Sequence, residues 1–294
     1  VADSVHVRLR RLPTGWGSYP RVLFTSRPPV TEVRDPPVFH ASVSGVVLAA
    51  EAVRSYSAMC GFPGGVPVTF PHVLAMPLHL QIFACGDFPL RPMGLIHVAN
   101  VIEPLAELRP GMRLDLDVCA GNYRPTDAGL AFDMATEITS EGRAVWRETC
   151  VFLSRWPESV ERPAGRPPRP PKAPKDAAVL AELDVGKRTA LDYARVSRDF
   201  NPIHLSDRAA RYFGLRGCIV HGMWSLARSL AEAPVPSLAE GVRIDTQFLT
   251  PVQLPARVAI KEWTAEGQRR RALCDIRTGR VHMFAFWPEA SPPA

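Results

Sequence analysis

Between Glu161 and Lys175 the chain reads Glu-Arg-Pro-Ala-Gly-Arg-Pro-Pro-Arg-Pro-Pro-Lys-Ala-Pro-Lys. Proline offers no amide donor and fixes its own φ, so neither a helix nor an interior strand can run through this stretch. It reads as an extended, semi-rigid connector. It also cuts the 294 residues near their middle, leaving two pieces of ordinary domain size. The reading is a first domain at residues 1–160, a linker at 161–177 and a second domain at 178–294.

The two pieces look like variations on one plan. In the second, Leu191–Val196 has helical spacing and its helix ends near Asp199. A short helix runs from a Ser206 or Asp207 cap to a stop at Gly214, and a more apolar helix opens at Gly222. Alternating runs at Val242–Leu249, Arg257–Thr264, Arg270–Arg277 and Arg280–Phe286 read as antiparallel strands. The first piece repeats the order. Ala50–Met59 and Pro71–Phe83 read as helices, followed by strands at Ile96–Ile102, Met112–Ala120, Gly129–Ile138 and Arg143–Leu153. Local echoes support a duplication: Asn100-Val-Ile-Glu-Pro-Leu105 against Gln247-Phe-Leu-Thr-Pro-Val252, and Tyr56 against Tyr193. The fold class is α+β, with a long apolar helix wrapped by a curved antiparallel sheet in each half. Two such units side by side share one sheet and one cleft.

Composition narrows the function. The six cysteines are scattered without a CxxC pair or a histidine at ligand spacing, which suits reduced, mostly buried thiols in a cytoplasmic protein. No apolar run is long enough to span a membrane, and the first residues lack the apolar core of a secretory signal. Much of the net charge of +6 is local to the basic linker, and no aromatic-plus-basic stacking pattern stands out. Nucleic acid is therefore not an expected partner. A modest positive field suits a phosphate-bearing ligand or an acidic carrier.

The chemistry concentrates in Tyr193-Ala-Arg-Val-Ser-Arg-Asp199-Phe-Asn201-Pro202-Ile-His204 and in His221-Gly222-Met223. Pro202 biases Asn201 away from α geometry, so the segment should leave its helix as an extended connector that aims Asp199 and His204 into one pocket. A carboxylate and an imidazole on one water can exchange a proton with it, with Asn201 holding their geometry. Read singly, these residues could equally be a helix cap and an ordinary satisfied histidine. Gly222 at a helix start lets a ligand approach free backbone N–H donors, the provision an oxygen gaining negative charge requires; its plainer role is to ease a tight entry into the helix. His72 and His79, seven apart on one helix face, read as packing residues. His97 lies in a strand pattern and could line the cleft without an acid beside it.

These two runs resemble the signature of the MaoC-like (R)-specific enoyl hydratases and 3-hydroxyacyl-thioester dehydratases, over about thirty residues, Tyr193–Met223. The duplicated layout with its Pro-rich linker, together with Val66–Pro71 and Met93–His97, extends the resemblance to the double-hot-dog dehydratases of actinobacterial type. The resemblance implies a double hot-dog fold and reversible dehydration of (3R)-hydroxyacyl thioesters to trans-2-enoyl thioesters in fatty-acid metabolism. It implies Asp199 and His204 as the catalytic pair and the Gly222 amide as oxyanion donor, with Asn201, His221 and Met223 on the substrate. It implies no metal and no redox cofactor, the thioester of CoA or acyl carrier protein being the substrate. Arg198 departs from the pattern, since glycine is common there; its side chain is expected to face out. In the first half Met59-Cys60-Gly61-Phe62-Pro63 replaces the acid-bearing run, so one active site per chain is expected, with a degenerate half that widens the acyl tunnel for a medium or long chain. A homodimer of such pseudo-dimers is a further expectation. The alternative reading is a non-catalytic acyl-thioester-binding or assembly subunit.

Overall fold

The structure, a computed structural model, describes residues 4–13, 22, 36–157, 172–233 and 242–289. The Pro-rich linker lies outside the described residues except for 172–177. The first half comprises β1 (Ser4–Leu9), β2 (Val38–Val47), α1 (Ala50–Cys60), α2 (Phe70–Ala84), β3 (Ile96–Pro104), β4 (Arg113–Thr126), β5 (Gly129–Ser140) and β6 (Arg143–Arg155). The second comprises β7 (Ala178–Val185), α3 (Lys187–Ser197), α4 (Pro202–Leu205), α5 (Asp207–Tyr212), α6 (Gly222–Ala231), β8 (Ile244–Phe248), β9 (Ala256–Ala265), β10 (Gln268–Asp275) and β11 (Val281–Pro288). The expected helices and strands all appear. Three strands were not anticipated: β1 and β7, which form the two edges of the sheet, and β2, which pairs with both β1 and β4.

All strands join one 11-stranded sheet in the order β1-β2-β4-β5-β6-β3-β8-β11-β10-β9-β7. Read outward from the β3–β8 seam, the first half runs β3-β6-β5-β4-β2 and the second β8-β11-β10-β9-β7, the same order, with β1 added beyond β2. β3 and β8 pair antiparallel, Ala99 with Gln247 and Asn100 with Thr246. A two-fold axis through the seam makes Asn100 the counterpart of Gln247 and Ala99 that of Thr246, which is the alignment of the sequence echo. The duplication is thus visible as backbone register.

Each half-sheet wraps one central helix. α2 buries Phe70, Val73, Leu78, Leu80, Ile82 and Phe83, and α6 buries Met223, Trp224, Leu226, Ala227 and Leu230. Full burial of one such side chain stabilises by about 1.5–3 kcal/mol. α6 is also held electrostatically. Arg271 on β10 is fully buried, donates through Nη1 to the Ser229 carbonyl in the last turn of α6 at 2.7 Å, and pairs with Glu262 on β9. Its guanidinium lies 5.0 Å from the Trp287 ring centroid. A cation at a helix C-terminus meets both the orphan carbonyls and the negative end of the dipole.

All six cysteines are free, with Cys60, Cys150, Cys218 and Cys274 buried. Among the described residues no helix is long and apolar enough to cross a membrane. Replacing Arg271 with Ala leaves Glu262 and the α6 carbonyl without their donor. Urea unfolding of Arg271→Ala should register a loss of about 3 kcal/mol, the low end for a broken buried pair because Glu262 keeps some solvent contact.

Candidate active site

α3 delivers the acidic residue. Its C-terminal cap is Arg198, in the left-handed region at φ 61, where a side chain is disfavoured and glycine is the default. That accounts for the glycine common at this point in the family pattern. The Arg198 side chain is exposed, as expected. The reversal turns Asp199 inward, where its side chain is 25% exposed. The Asp199 amide donates to Ser197 Oγ at 3.2 Å, and Asp199 Oδ1 accepts from the Asn201 amide at 3.1 Å. The other carboxylate oxygen, Oδ2, faces two histidines.

The connector is not wholly extended. Asn201 has extended-type ψ (124°), but Pro202–Leu205 then forms one helical turn, with the Asn201 side chain accepting from the Ile203 amide as its cap. Proline at the first helical position sacrifices only an amide that has no helical partner. The turn, rather than an extended strand, carries His204 back toward Asp199. Asn201, expected to contact substrate, therefore has a structural occupation for its carbonyl oxygen and holds the geometry of the pair.

His204 is buried and makes a 2.9 Å hydrogen bond from Nδ1 to the Ile219 carbonyl. A carbonyl only accepts, so Nδ1 carries the hydrogen and Nε2 of the neutral ring holds a lone pair. That nitrogen lies 4.0 Å from Asp199 Oδ2, too far for a direct hydrogen bond and a span that one water can bridge. Burial lowers the His204 pKa against the pull of Asp199, which keeps the ring neutral at neutral pH.

His221 stacks on His204 with ring centroids 3.6 Å apart, and its Nε2 donates to the Asp199 backbone carbonyl at 3.0 Å. Burial, reinforced by His204, lowers its pKa to about 3. It is thus a neutral strut joining the α6 entrance to the Asp199 backbone. Gly222, the first residue of α6, leaves its N–H at the open end of the helix. A methyl on Gly222 would come within 3.1 Å of the Phe248 ring, tighter than side-chain contacts ordinarily are, so glycine eases the entry into the helix there. Met223 is buried in the hydrophobic core.

The first half lacks the acid. Its α1 ends at Gly61 with φ 83, the same left-handed cap as Arg198. Pairing these caps sets Cys60 against Ser197 and Phe62 against Asp199, one place from the alignment expected from sequence. It also agrees with Tyr56 facing Tyr193, whose rings lie 6.1 Å apart. The first half instead buries a second polar group. His72 Nδ1 bonds Glu148 at 2.9 Å, Asn100 Nδ2 donates to Glu148 Oε1 at 2.6 Å, and His79 Nε2 lies 3.3 Å from Thr136 Oγ1. Glu148 escaped the sequence reading. The signal was there: it sits between Trp146 and Cys150 on the inward row of β6.

Ligand-type atoms of His72, Glu148 and Cys150, and those of Asp199, His204 and His221, lie within 4.8 Å of one another. In the first set the atoms bond each other. In the second, His204 Nδ1 and His221 Nε2 are bound to backbone carbonyls, and Asp199 Oδ1 accepts from the Asn201 amide.

Two measurements follow. Arg198→Gly relieves the left-handed strain and should raise unfolding stability by about 1 kcal/mol. Burial lowers the pKa of His79 to about 3, His97 to about 4 and His221 to about 3, and also lowers His204 and His282. In His72 burial is outweighed by the Glu148 charge, which raises it. Below the unfolded value near 6.5 the unfolded chain takes up protons that the lowered groups refuse. Stability is therefore lost as pH falls from about 6.5 toward 4, His72 alone opposing. The urea midpoint should drop through that window.

Residues 163–283 match the family described as the MaoC like domain. The 3-hydroxyacyl-thioester dehydratase X of Mycobacterium tuberculosis is 30% identical over 278 residues, spanning 93% of this chain and 97% of that protein. The crystal structure of HtdX from the same organism superposes with a TM-score of 0.71 at 28% identity, covering 84% of this chain and 98% of that one. A MaoC-like dehydratase from Phytophthora capsici (TM-score 0.68, 15% identity, 86% and 95% covered) shares the fold. So does a conserved hypothetical protein of M. tuberculosis described as a double hot-dog (TM-score 0.52, 13% identity, 89% and 97% covered). With the Asp199–His204 run, the helix-opening Gly222 and the mirrored half-sheets in place, the chain belongs to the MaoC-like dehydratase family in its double hot-dog form.

Proposed function

We propose that the chain reversibly dehydrates (3R)-hydroxyacyl thioesters to trans-2-enoyl thioesters, using one site per chain in the domain of residues 178–294. The supporting observation is the 4.0 Å gap between Asp199 Oδ2 and the unprotonated Nε2 of His204, beside the open N-terminus of α6. In the hydration direction a water held between the two groups attacks C3 of the enoyl thioester and loses one proton to the pair. Electron density moves from the double bond into the thioester carbonyl, whose oxygen becomes enolate-like against the Gly222 N–H. A proton returned from the pair to C2 on the same face restores the carbonyl. Dehydration is the reverse. An oxyanion donor of this kind is worth about 2.7–4 kcal/mol of barrier.

His204 Nε2 must keep its lone pair for the proton, so we propose no metal and no redox cofactor in the reaction. The domain of residues 1–160 supplies the other wall of the cleft. A thioester of CoA or of an acyl carrier protein is the substrate, and the free thiols suit a cytoplasmic enzyme. We propose that two copies join as a homodimer of pseudo-dimers through a surface outside the seam, which sedimentation would read.

Loss of the enoyl-thioester absorbance on hydration tests the proposal. Asp199→Asn and His204→Gln should each lower kcat by about 10²–10⁴ with folding retained. Dialysis of the wild type against a chelator should leave the rate unchanged. Wild type that binds thioester without turnover would point instead to a non-catalytic acyl-thioester-binding or assembly subunit.

A further inference from the structure

Phe248, the last residue of β8, sits against the catalytic backbone: its ring atoms are 3.1 Å from where a Cβ on Gly222 would lie. A line of rings continues behind it into the first half. His97 lies 4.8 Å from Phe248, Phe152 lies 5.0 Å from His97, Phe132 lies 5.6 Å from Phe152, Phe88 lies 5.7 Å from Phe132 and Phe39 lies 5.5 Å from Phe88. Phe83 packs on both Phe152 and Phe88, at 5.7 and 5.3 Å. Centroid spacings of this size are those of rings in contact, so an alkyl chain cannot thread between them. Phe248, His97 and Phe152 are partly exposed, whereas Phe39, Phe83, Phe88 and Phe132 are buried. The column therefore runs from partly exposed rings to a root in the core.

His97 suits a place in an apolar wall. Burial, with the nearby His72, lowers its pKa to about 4, and it bonds the Ala99 backbone, so it packs as a neutral flat ring. Behind it stands the closed His72–Glu148–Asn100 hydrogen-bond group, which no methylene chain can enter without leaving polar atoms unpaired.

With the thioester carbonyl at Gly222, the carrier must lead out to solvent and the acyl chain must point inward. On that inward side the ring packed against Gly222 is Phe248. We propose that Phe248, backed by His97, is the acyl-chain stop of this site and confines it to short-chain thioesters. The inference rests on the dehydratase reading for the placement of the carbonyl. It departs from the expectation that the degenerate half widens a tunnel for a medium or long chain.

The test measures binding and turnover separately. Calorimetry with butyryl-CoA and dodecanoyl-CoA on Asp199→Asn should give at least about tenfold weaker binding of the longer chain, opposite to the usual gain from added methylenes. Adding Phe248→Ala to that background should erase or reverse the difference, and Phe248→Leu, which keeps an apolar side chain in the strand, should reduce it. Hydration of crotonyl-CoA and dodecenoyl-CoA by enzymes retaining Asp199 should follow the same ratios. Equal or tighter binding of dodecanoyl-CoA before Phe248 is cut, or a ratio indifferent to both substitutions, would overturn the stop. The binding pattern without any turnover would uphold the stop and sink the dehydratase reading.

Discussion

The antiparallel seam between β3 and β8 is the constraint on which the molecule depends. Each half-sheet on its own would end in an unpaired edge at β3 or β8, with a row of unmet backbone donors and acceptors. Pairing Ala99 with Gln247 and Asn100 with Thr246 closes both edges at once and makes one 11-stranded sheet. It also brings the two halves face to face across the cleft. Phe248 at the end of β8 thereby reaches both Gly222 of its own half and His97 of the other.

Symmetry in the backbone permits asymmetry in the side chains. The two left-handed helix ends, at Gly61 and Arg198, occupy corresponding places, yet one is followed by Phe62 and the other by Asp199. The second half spends its buried polar residues on a pair kept slightly apart, with the His204 tautomer set by the Ile219 carbonyl and the Asp199 backbone held by His221. The first half spends its own on a closed group. Glu148 there is drawn to about 2, the His72 ring overcoming the cost of burial. A closed group stabilises a fold, whereas an open gap leaves room for a reactant. The contrast between a 2.9 Å contact at His72 and a 4.0 Å separation at His204 is the physical difference between the halves.

Much of this was legible in order along the chain. The Pro-rich linker, the repeated helix and strand runs and the Asn100/Gln247 echo foretold two matched units, because patterning and proline chemistry act locally. Asp199, His204, Gly222 and His221 were legible as a set because they lie on two short runs whose residue types have few structural uses in common. Glu148 was missed because its partners, His72 and Asn100, are remote in sequence. The helical turn at Pro202–Leu205 was read as extended because proline restricts the residue before it but suits the first turn of a helix equally well.

The sequence by itself determined the fold class, the duplication, the element order and the short runs that carry the candidate site, all of which follow from local periodicity, turn chemistry and a compact motif. Only the tertiary structure decided the tautomer of His204, the neutral strut made by His221, the one-place shift that sets Phe62 opposite Asp199 and the ring column behind Phe248. Each depends on a contact between residues that the chain separates widely. Such contacts are selected by how the two half-sheets close on one another, and no local pattern encodes them.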